Sequence, residues 1–142
     1  MSKELIIGTW KLVSFTYNSK NEVFFYPYGK DAHGIIYYDE QGNMATIISR
    51  KDRPLLSTSE DFIKLRDNEK IRLSKGFISY SGRYEVLEDR IIHNIEVSFI
   101  PNWIGTTPEF YYTFEDECLV LTTPETELRG TPYCGCLTWA RK

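Results

Sequence analysis

The chain has 142 residues, of which 42% are hydrophobic and 26% are charged, and its formal net charge is −3. This length suits one domain, which we take to span residues 1–142, and the composition is typical of a soluble globular protein. The basic residues form no cluster, which argues against a nucleic-acid-binding surface. No segment has the roughly 18 consecutive apolar residues of a membrane-spanning helix.

The N-terminus and the cysteines predict a cytoplasmic protein. Residues 1–7 combine charges with a short apolar run and lack the apolar core of a signal peptide. The three cysteines, Cys118, Cys134 and Cys136, are an odd number and therefore a poor disulfide framework. Cys134 and Cys136 form a C-x-C pair, not the C-x-x-C pair of redox and zinc sites, and the chain has only two histidines to complete a metal site. We therefore expect no metal and no cofactor.

Alternation of apolar and polar residues predicts about nine β-strands. In chain order they cover residues 9–17, 23–26, 34–38, 44–48, 82–87, 91–99, 110–115, 118–123 and 133–141. Residues 39–43 are typical of a hairpin loop, with Gly42 where a positive φ is needed.

One segment, residues 59–75, departs from the strand pattern. Phe62, Leu65 and Leu73 recur at helical spacing with charged residues between them. Ser59 suits an N-cap, the acidic residues 60–61 suit a first turn, and Gly76 can end the helix. The sequence thus predicts an all-β protein with one helix between strands. Its short connections favour an antiparallel β-barrel of about 8–10 strands, because closure removes exposed sheet edges.

Five stretches resemble the bacterial lipocalin-like domain family, small relatives of the lipocalin and calycin barrels. Two of them, PNWIGT at 101–106 and GRY within GFISYSGRY at 76–84, are the more specific. The others are GTWKLVS at 8–14, YPYG at 26–29 and LTWAR at 137–141. Together they span nearly the whole chain in the family's order. The resemblance implies a lipocalin-like barrel that encloses a small molecule.

The resemblance also implies roles for particular residues. Trp10 on the first strand would close one end of the barrel, with Arg141 stacked over it as a structural cation–π pair. The family commonly has an Arg on the strand that here reads FYYTF at 110–114, where this chain has Tyr. A neutral or different ligand is therefore expected here.

A cavity wall follows if the more apolar face of each strand points inward. This places six candidate ligand-binding residues in the wall, namely Tyr37, Met44, Tyr84, His93, Phe99 and Tyr112. A barrel of about eight strands can hold one small ligand or be filled by side chains. His93 could contact a ligand or act as a general base, or it could be a core histidine satisfied by a backbone carbonyl or a tyrosine hydroxyl. Trp103 would cap the barrel mouth or pack under the helix.

Three functions remain open at this point. The first is a cytoplasmic protein that binds a small apolar or amphipathic molecule, with no nucleic-acid or membrane partner. The second is an isomerase or cyclase that uses His93 or a wall tyrosine as acid or base, although no catalytic motif is present and no catalytic residue is assigned. The third is an interaction module whose barrel is filled. A cavity below about 150 Å³ would exclude the first two. A flat aromatic outer face would be compatible with a homodimer.

Overall fold

The computed structural model describes residues 2–58 and 61–142, and its strands form one antiparallel sheet. The strands are β1 (Gly8–Ser19), β2 (Glu22–Phe25), β3 (His33–Tyr38), β4 (Asn43–Ser49), β5 (Phe77–Val86), β6 (Arg90–Ser98), β7 (Glu109–Glu115), β8 (Cys118–Thr122), β9 (Thr126–Leu128) and β10 (Thr131–Arg141). The helices are α1 (Ser2–Ile6) and α2 (Asp67–Leu73), with 3₁₀ turns at Phe62–Lys64 and Pro101–Trp103. Within these described ranges, no helix is both long and apolar enough to cross a bilayer.

The sheet closes on itself through β1 and β10. These two strands pair from Trp10 opposite Arg141 to Asn18 opposite Cys134, while β1 also pairs with β3. The result is a closed eight-stranded barrel, and β2 and β9 extend the sheet beyond it as short outer strands. This confirms the predicted all-β antiparallel barrel. The sequence pattern missed β9.

Tight turns join neighbouring strands where the sequence predicts them. Gly42 has a φ of +92° in the β3–β4 loop, and the Asp39 carboxylate accepts hydrogen bonds from the backbone N–H groups of Gln41 and Asn43 at 2.9 and 2.8 Å. The β7–β8 turn has positive φ at both Asp116 and Glu117, the conformation of a type I′ hairpin.

The helical segment differs from the prediction in its length and its start. Leu65 and Arg66 are extended, with ψ near 150°, so they separate the 3₁₀ turn from α2. The Glu69 carboxylate accepts hydrogen bonds from the backbone N–H of Arg66 and the backbone and hydroxyl of Ser57, which fixes the start of α2. The predicted N-cap, Ser59, lies outside the described residues together with residue 60. Gly76 follows the helix with the positive φ expected of it.

Two β-bulges change which residues point into the barrel. The β1–β10 register shifts between Leu12 and Ser14, so that Phe15 as well as Leu12 faces the interior. The β5–β6 register shifts where Gly82 pairs with Ile95 and Ser81 with Val97. An extra residue on one strand reverses the side-chain alternation beyond it. Beyond the second bulge, Val97 is therefore exposed.

One end of the barrel is closed by the pair that the family resemblance implied. The Arg141 guanidinium lies 4.1 Å from the centroid of the Trp10 ring. Its two terminal nitrogens donate to the carbonyls of Ile7 and Leu5, and the Trp10 indole donates to the carbonyl of Ile6. These bonds satisfy carbonyls at the end of α1 that have no partner within the helix. We call this the closed end.

Candidate functional site: a cavity in the barrel

The half of the barrel away from the closed end contains a cavity of about 280 Å³. Side chains from all eight barrel strands and from the loop after β6 line it. The wall is mainly aliphatic and aromatic, and its apolar members include Phe15, Ile36, Ile48, Ile78, Leu121 and Leu137. Among the described residues that line it there is no Asp, Glu, Lys or Arg. The cavity is therefore suited to an uncharged molecule.

The loop after β6 forms part of the cavity mouth. The backbone of Ile95 bonds to Thr106 and Gly105, so the loop is held against β6 where β7 has not yet begun. The Trp103 ring meets the Tyr80 ring edge-on, with centroids 6.1 Å apart, and both line the cavity. Of the two positions considered for Trp103, the structure places it at the cavity and gives it no ring contact with the helix residues described.

His93 lies in the cavity wall with both ring nitrogens engaged. Its Nε2 is 2.7 Å from the Tyr38 hydroxyl, and its Nδ1 is 2.7 Å from the Tyr80 hydroxyl. The Phe110 ring also packs against the imidazole at 4.8 Å between centroids. His93 is 1% exposed, and this burial lowers its pKa to about 3. The imidazole is consequently neutral at physiological pH.

Burial also keeps the two tyrosines next to His93 protonated. The pKa of Tyr38 is raised well above its usual value because its hydroxyl is desolvated, and the pKa of Tyr80 is raised for the same reason. The three side chains therefore form a neutral hydrogen-bonded chain. We call Tyr38, His93 and Tyr80 the relay.

Most other polar groups of the wall already have partners in the protein. The Thr46 hydroxyl donates to the carbonyl of Ile35, and the Thr106 hydroxyl donates to the carbonyl of Trp103. The indole nitrogen of Trp139 differs, because it is buried and has no hydrogen-bond partner in the described part of the chain. The Trp139 side chain lines the cavity, but neighbouring atoms cover its indole nitrogen.

Three of the six predicted wall residues point inward but lie nearer the closed end than the cavity. Met44 and Tyr84 are 3% and 5% exposed in the core, and Tyr112 packs against that core. The Tyr84 hydroxyl donates to the carbonyl of Asp39, and the Tyr112 hydroxyl donates to the carbonyl of Leu87. Among the predicted six, His93 lines the cavity.

The structure places Tyr37 and Phe99 on the outside of the barrel, against the predicted inward face. Tyr37 is 45% exposed, because β3 turns Ile36 and Tyr38 inward. Phe99 is 44% exposed and follows the β6 bulge, beyond which the alternation is reversed. Each difference is a reversal of strand face, not an error in the location of the strand.

The sequence analysis missed Tyr80, the partner of His93. The predicted strand began at residue 82, whereas β5 begins at Phe77. Inward residues recur at every second position from Ile78 through Tyr80 to Tyr84, so the period-two signal was present in the sequence. Continuing that pattern two residues toward the N-terminus would have identified Tyr80.

One of the known proteins that this chain resembles is a carrier protein. The chain is 31% identical over 91 residues to the 4′-hydroxy-3′-methoxypropiophenone carrier protein ppsC of Aspergillus oryzae, an alignment that covers 58% of this chain and 82% of that protein. No solved structure gives a significant match. The model of a family described as "Lipocalin-like domain" matches residues 7–142, and the chain therefore belongs to the lipocalin-like domain family.

Proposed function

We propose that this protein binds a small, neutral, apolar or amphipathic molecule in the barrel cavity. The observation that carries the proposal is a cavity of about 280 Å³ whose described lining has no charged residue. A charged ligand would lose its hydration there without gaining a counter-charge. An apolar wall with a few fixed polar groups is the usual form of a small-molecule site.

The cavity volume limits the size of the ligand. At about 280 Å³ it lies just below the usual range for ligand sites, which begins at about 300 Å³. This size favours a molecule with one ring over a polycyclic or long-chain ligand. The related carrier of Aspergillus oryzae is named for a ligand of this kind, a substituted aromatic ketone.

The state of His93 favours binding over proton-transfer catalysis. Both of its ring nitrogens have tyrosine partners, and burial holds its pKa at about 3. A general base at neutral pH needs a free lone pair and a pKa near the working pH. We therefore assign His93 to positioning and not to an isomerase or cyclase reaction.

The proposal also includes the protein's cellular location and its partners. We propose that it acts in the cytoplasm, which the odd number of cysteines supports, and that it does so without nucleic-acid or membrane partners. Exposed aromatic residues on β2, Phe24 and Phe25, are compatible with a homodimer.

Filling the cavity tests the proposed function. Leu137 lies in the cavity wall on β10, so Leu137→Trp should displace a ligand of one-ring size. Leu128→Trp on β9 makes the same replacement at a position that is 40% exposed and outside the cavity. Binding of ethylbenzene and acetophenone would be measured by titration calorimetry, with circular dichroism to check the fold.

We expect both probes to bind the unmodified protein and the Leu128→Trp variant equally, and to bind Leu137→Trp at least about tenfold more weakly. Absence of binding to the unmodified protein would refute the cavity as a site for molecules of this class. Equal binding to all three proteins would place the site elsewhere on the surface.

A further inference from the structure

The relay Tyr38–His93–Tyr80 can arrange its protons in two ways. A neutral imidazole has one N–H donor and one lone-pair acceptor, so one tyrosine must donate to His93 and the other must accept from it. The two distances, both 2.7 Å, are compatible with either arrangement. The environments of the Tyr38 and Tyr80 hydroxyls determine which of the two proton arrangements is present.

Tyr38 lies in the core and is 2% exposed. Within residues 2–58 and 61–142, its hydroxyl has His93 Nε2 as its single hydrogen-bond partner. If Tyr38 accepted from an Nε2–H group, its own hydrogen would be buried without an acceptor. Leaving a buried donor unpaired is costly, so Tyr38 must donate to Nε2. His93 then carries its proton on Nδ1.

The same proton order determines what Tyr80 presents to the cavity. His93 Nδ1–H donates to the Tyr80 oxygen, so the Tyr80 hydrogen is not used within the relay. Tyr80 lines the cavity and is half-buried, whereas Tyr38 is not part of the lining. The relay therefore leaves one hydroxyl donor unpaired on a side chain that lines the cavity.

We infer that Tyr80 determines specificity in the cavity by donating a hydrogen bond to an uncharged oxygen of the ligand, such as a ketone, ester or ether oxygen. This inference rests on the proposed function and adds the chemical group that the site recognises. The tyrosine ring provides apolar contact with the ligand, and its hydroxyl orients the ligand by bonding to one of its oxygen atoms. A hydrocarbon of the same shape leaves this donor unpaired.

Acetophenone and ethylbenzene test this inference because they differ mainly by one carbonyl oxygen. Their dissociation constants would be measured for the unmodified protein, for Tyr80→Phe and for Tyr37→Phe. Tyr37→Phe is the matched control, since it makes the same replacement on the outside of the barrel. The quantity compared is the ratio of the two dissociation constants in each protein.

We expect Tyr80→Phe to raise the dissociation constant of acetophenone by about fivefold relative to that of ethylbenzene, which is the effect of losing one neutral hydrogen bond. Ethylbenzene itself should bind that variant within about twofold of the unmodified protein, and Tyr37→Phe should leave the ratio unchanged. Binding of both probes with an unchanged ratio in Tyr80→Phe would overturn the inference and leave the proposed function standing. Failure of both probes to bind the unmodified protein would count against the proposed function itself.

A spectroscopic measurement on the unmodified protein keeps the inference testable if Tyr80→Phe fails to fold. Long-range ¹H–¹⁵N correlation spectra distinguish the two imidazole tautomers by the shifts of the ring nitrogens. We expect a protonated Nδ1 and an unprotonated Nε2 for His93. The opposite tautomer would mean that Tyr80 donates to His93, and it would overturn the inference.

Discussion

The guanidinium of Arg141 lies 4.1 Å from the centroid of the Trp10 ring and also donates to two carbonyls, those of Leu5 and Ile7. It therefore joins the last strand, the first strand and α1 at the closed end. Arg141→Ala should lower the free energy of unfolding by about 1–2 kcal/mol, because it removes the cation–π contact and two charged hydrogen bonds. Urea denaturation would measure this change.

Arg141→Lys is the informative companion variant. It keeps the positive charge but cannot bond both carbonyls with one planar group, so its stability should lie between those of the unmodified protein and Arg141→Ala. Neither variant should change the affinity for acetophenone, because Arg141 lies outside the cavity lining. A loss of affinity without a loss of stability would contradict the structural role.

The bond between Tyr38 and His93 gives a second prediction. Tyr38→Phe removes the hydroxyl that pairs with Nε2 and leaves a buried nitrogen unpaired. The expected cost is about 1–3 kcal/mol of unfolding free energy. Tyr37→Phe, one residue away on the exposed face, should change it by less than about 0.5 kcal/mol. Equal effects of the two replacements in thermal and urea denaturation would show that the relay contributes nothing to stability.

The sequence located most of the strands but did not determine the direction of their side chains. Residues 35–38 read Ile-Ile-Tyr-Tyr, so both faces of β3 are apolar and alternation offers no choice between Tyr37 and Tyr38. A shift of one residue reverses every side chain of a strand. The pairing of β3 with β1 and β4 settles the choice, and that information is not local to the segment.

The bulge on β6 limited prediction in a different way. Ile91, His93 and Ile95 alternate inward as the pattern indicates, and the alternation then reverses so that Val97 is 65% exposed. Nothing in the sequence of β6 itself marks the extra residue. The signal lies on the neighbouring strand, where Gly82 allows the backbone of Asn94 to approach closely.

Gly82 is therefore expected to be intolerant of substitution. A Cβ built at this position would overlap the backbone carbonyl oxygen of Asn94, so an alanine requires the two strands to separate. Gly82→Ala should destabilise the protein by more than about 2 kcal/mol, whereas Ser81→Ala beside it should be nearly neutral. Chemical denaturation of both variants measures the difference, and a stable Gly82→Ala protein would contradict the bulge.

The lowered pKa of His93 predicts how stability depends on pH. In the unfolded chain a histidine has a pKa near 6.5, whereas burial lowers it to about 3 in the folded protein. Below pH 6.5 the unfolded state gains a proton that the folded state does not accept, so stability is lost as the pH falls toward 3. Between pH 7 and pH 5 the loss from this group should be about 2 kcal/mol. The titratable groups that face the imidazole are Tyr38 and Tyr80, which stay neutral throughout this range.

His93→Gln separates this effect from the titration of surface carboxylates. A glutamine side chain offers one donor and one acceptor direction to the two tyrosines but does not titrate. Urea denaturation at pH 7, 6 and 5 should therefore give a shallower loss of stability for His93→Gln than for the unmodified protein. His33→Gln, which removes the exposed histidine at the start of β3, serves as the control and should retain the full slope. Parallel pH profiles for the unmodified protein and His93→Gln would mean that His93 is not held neutral by burial.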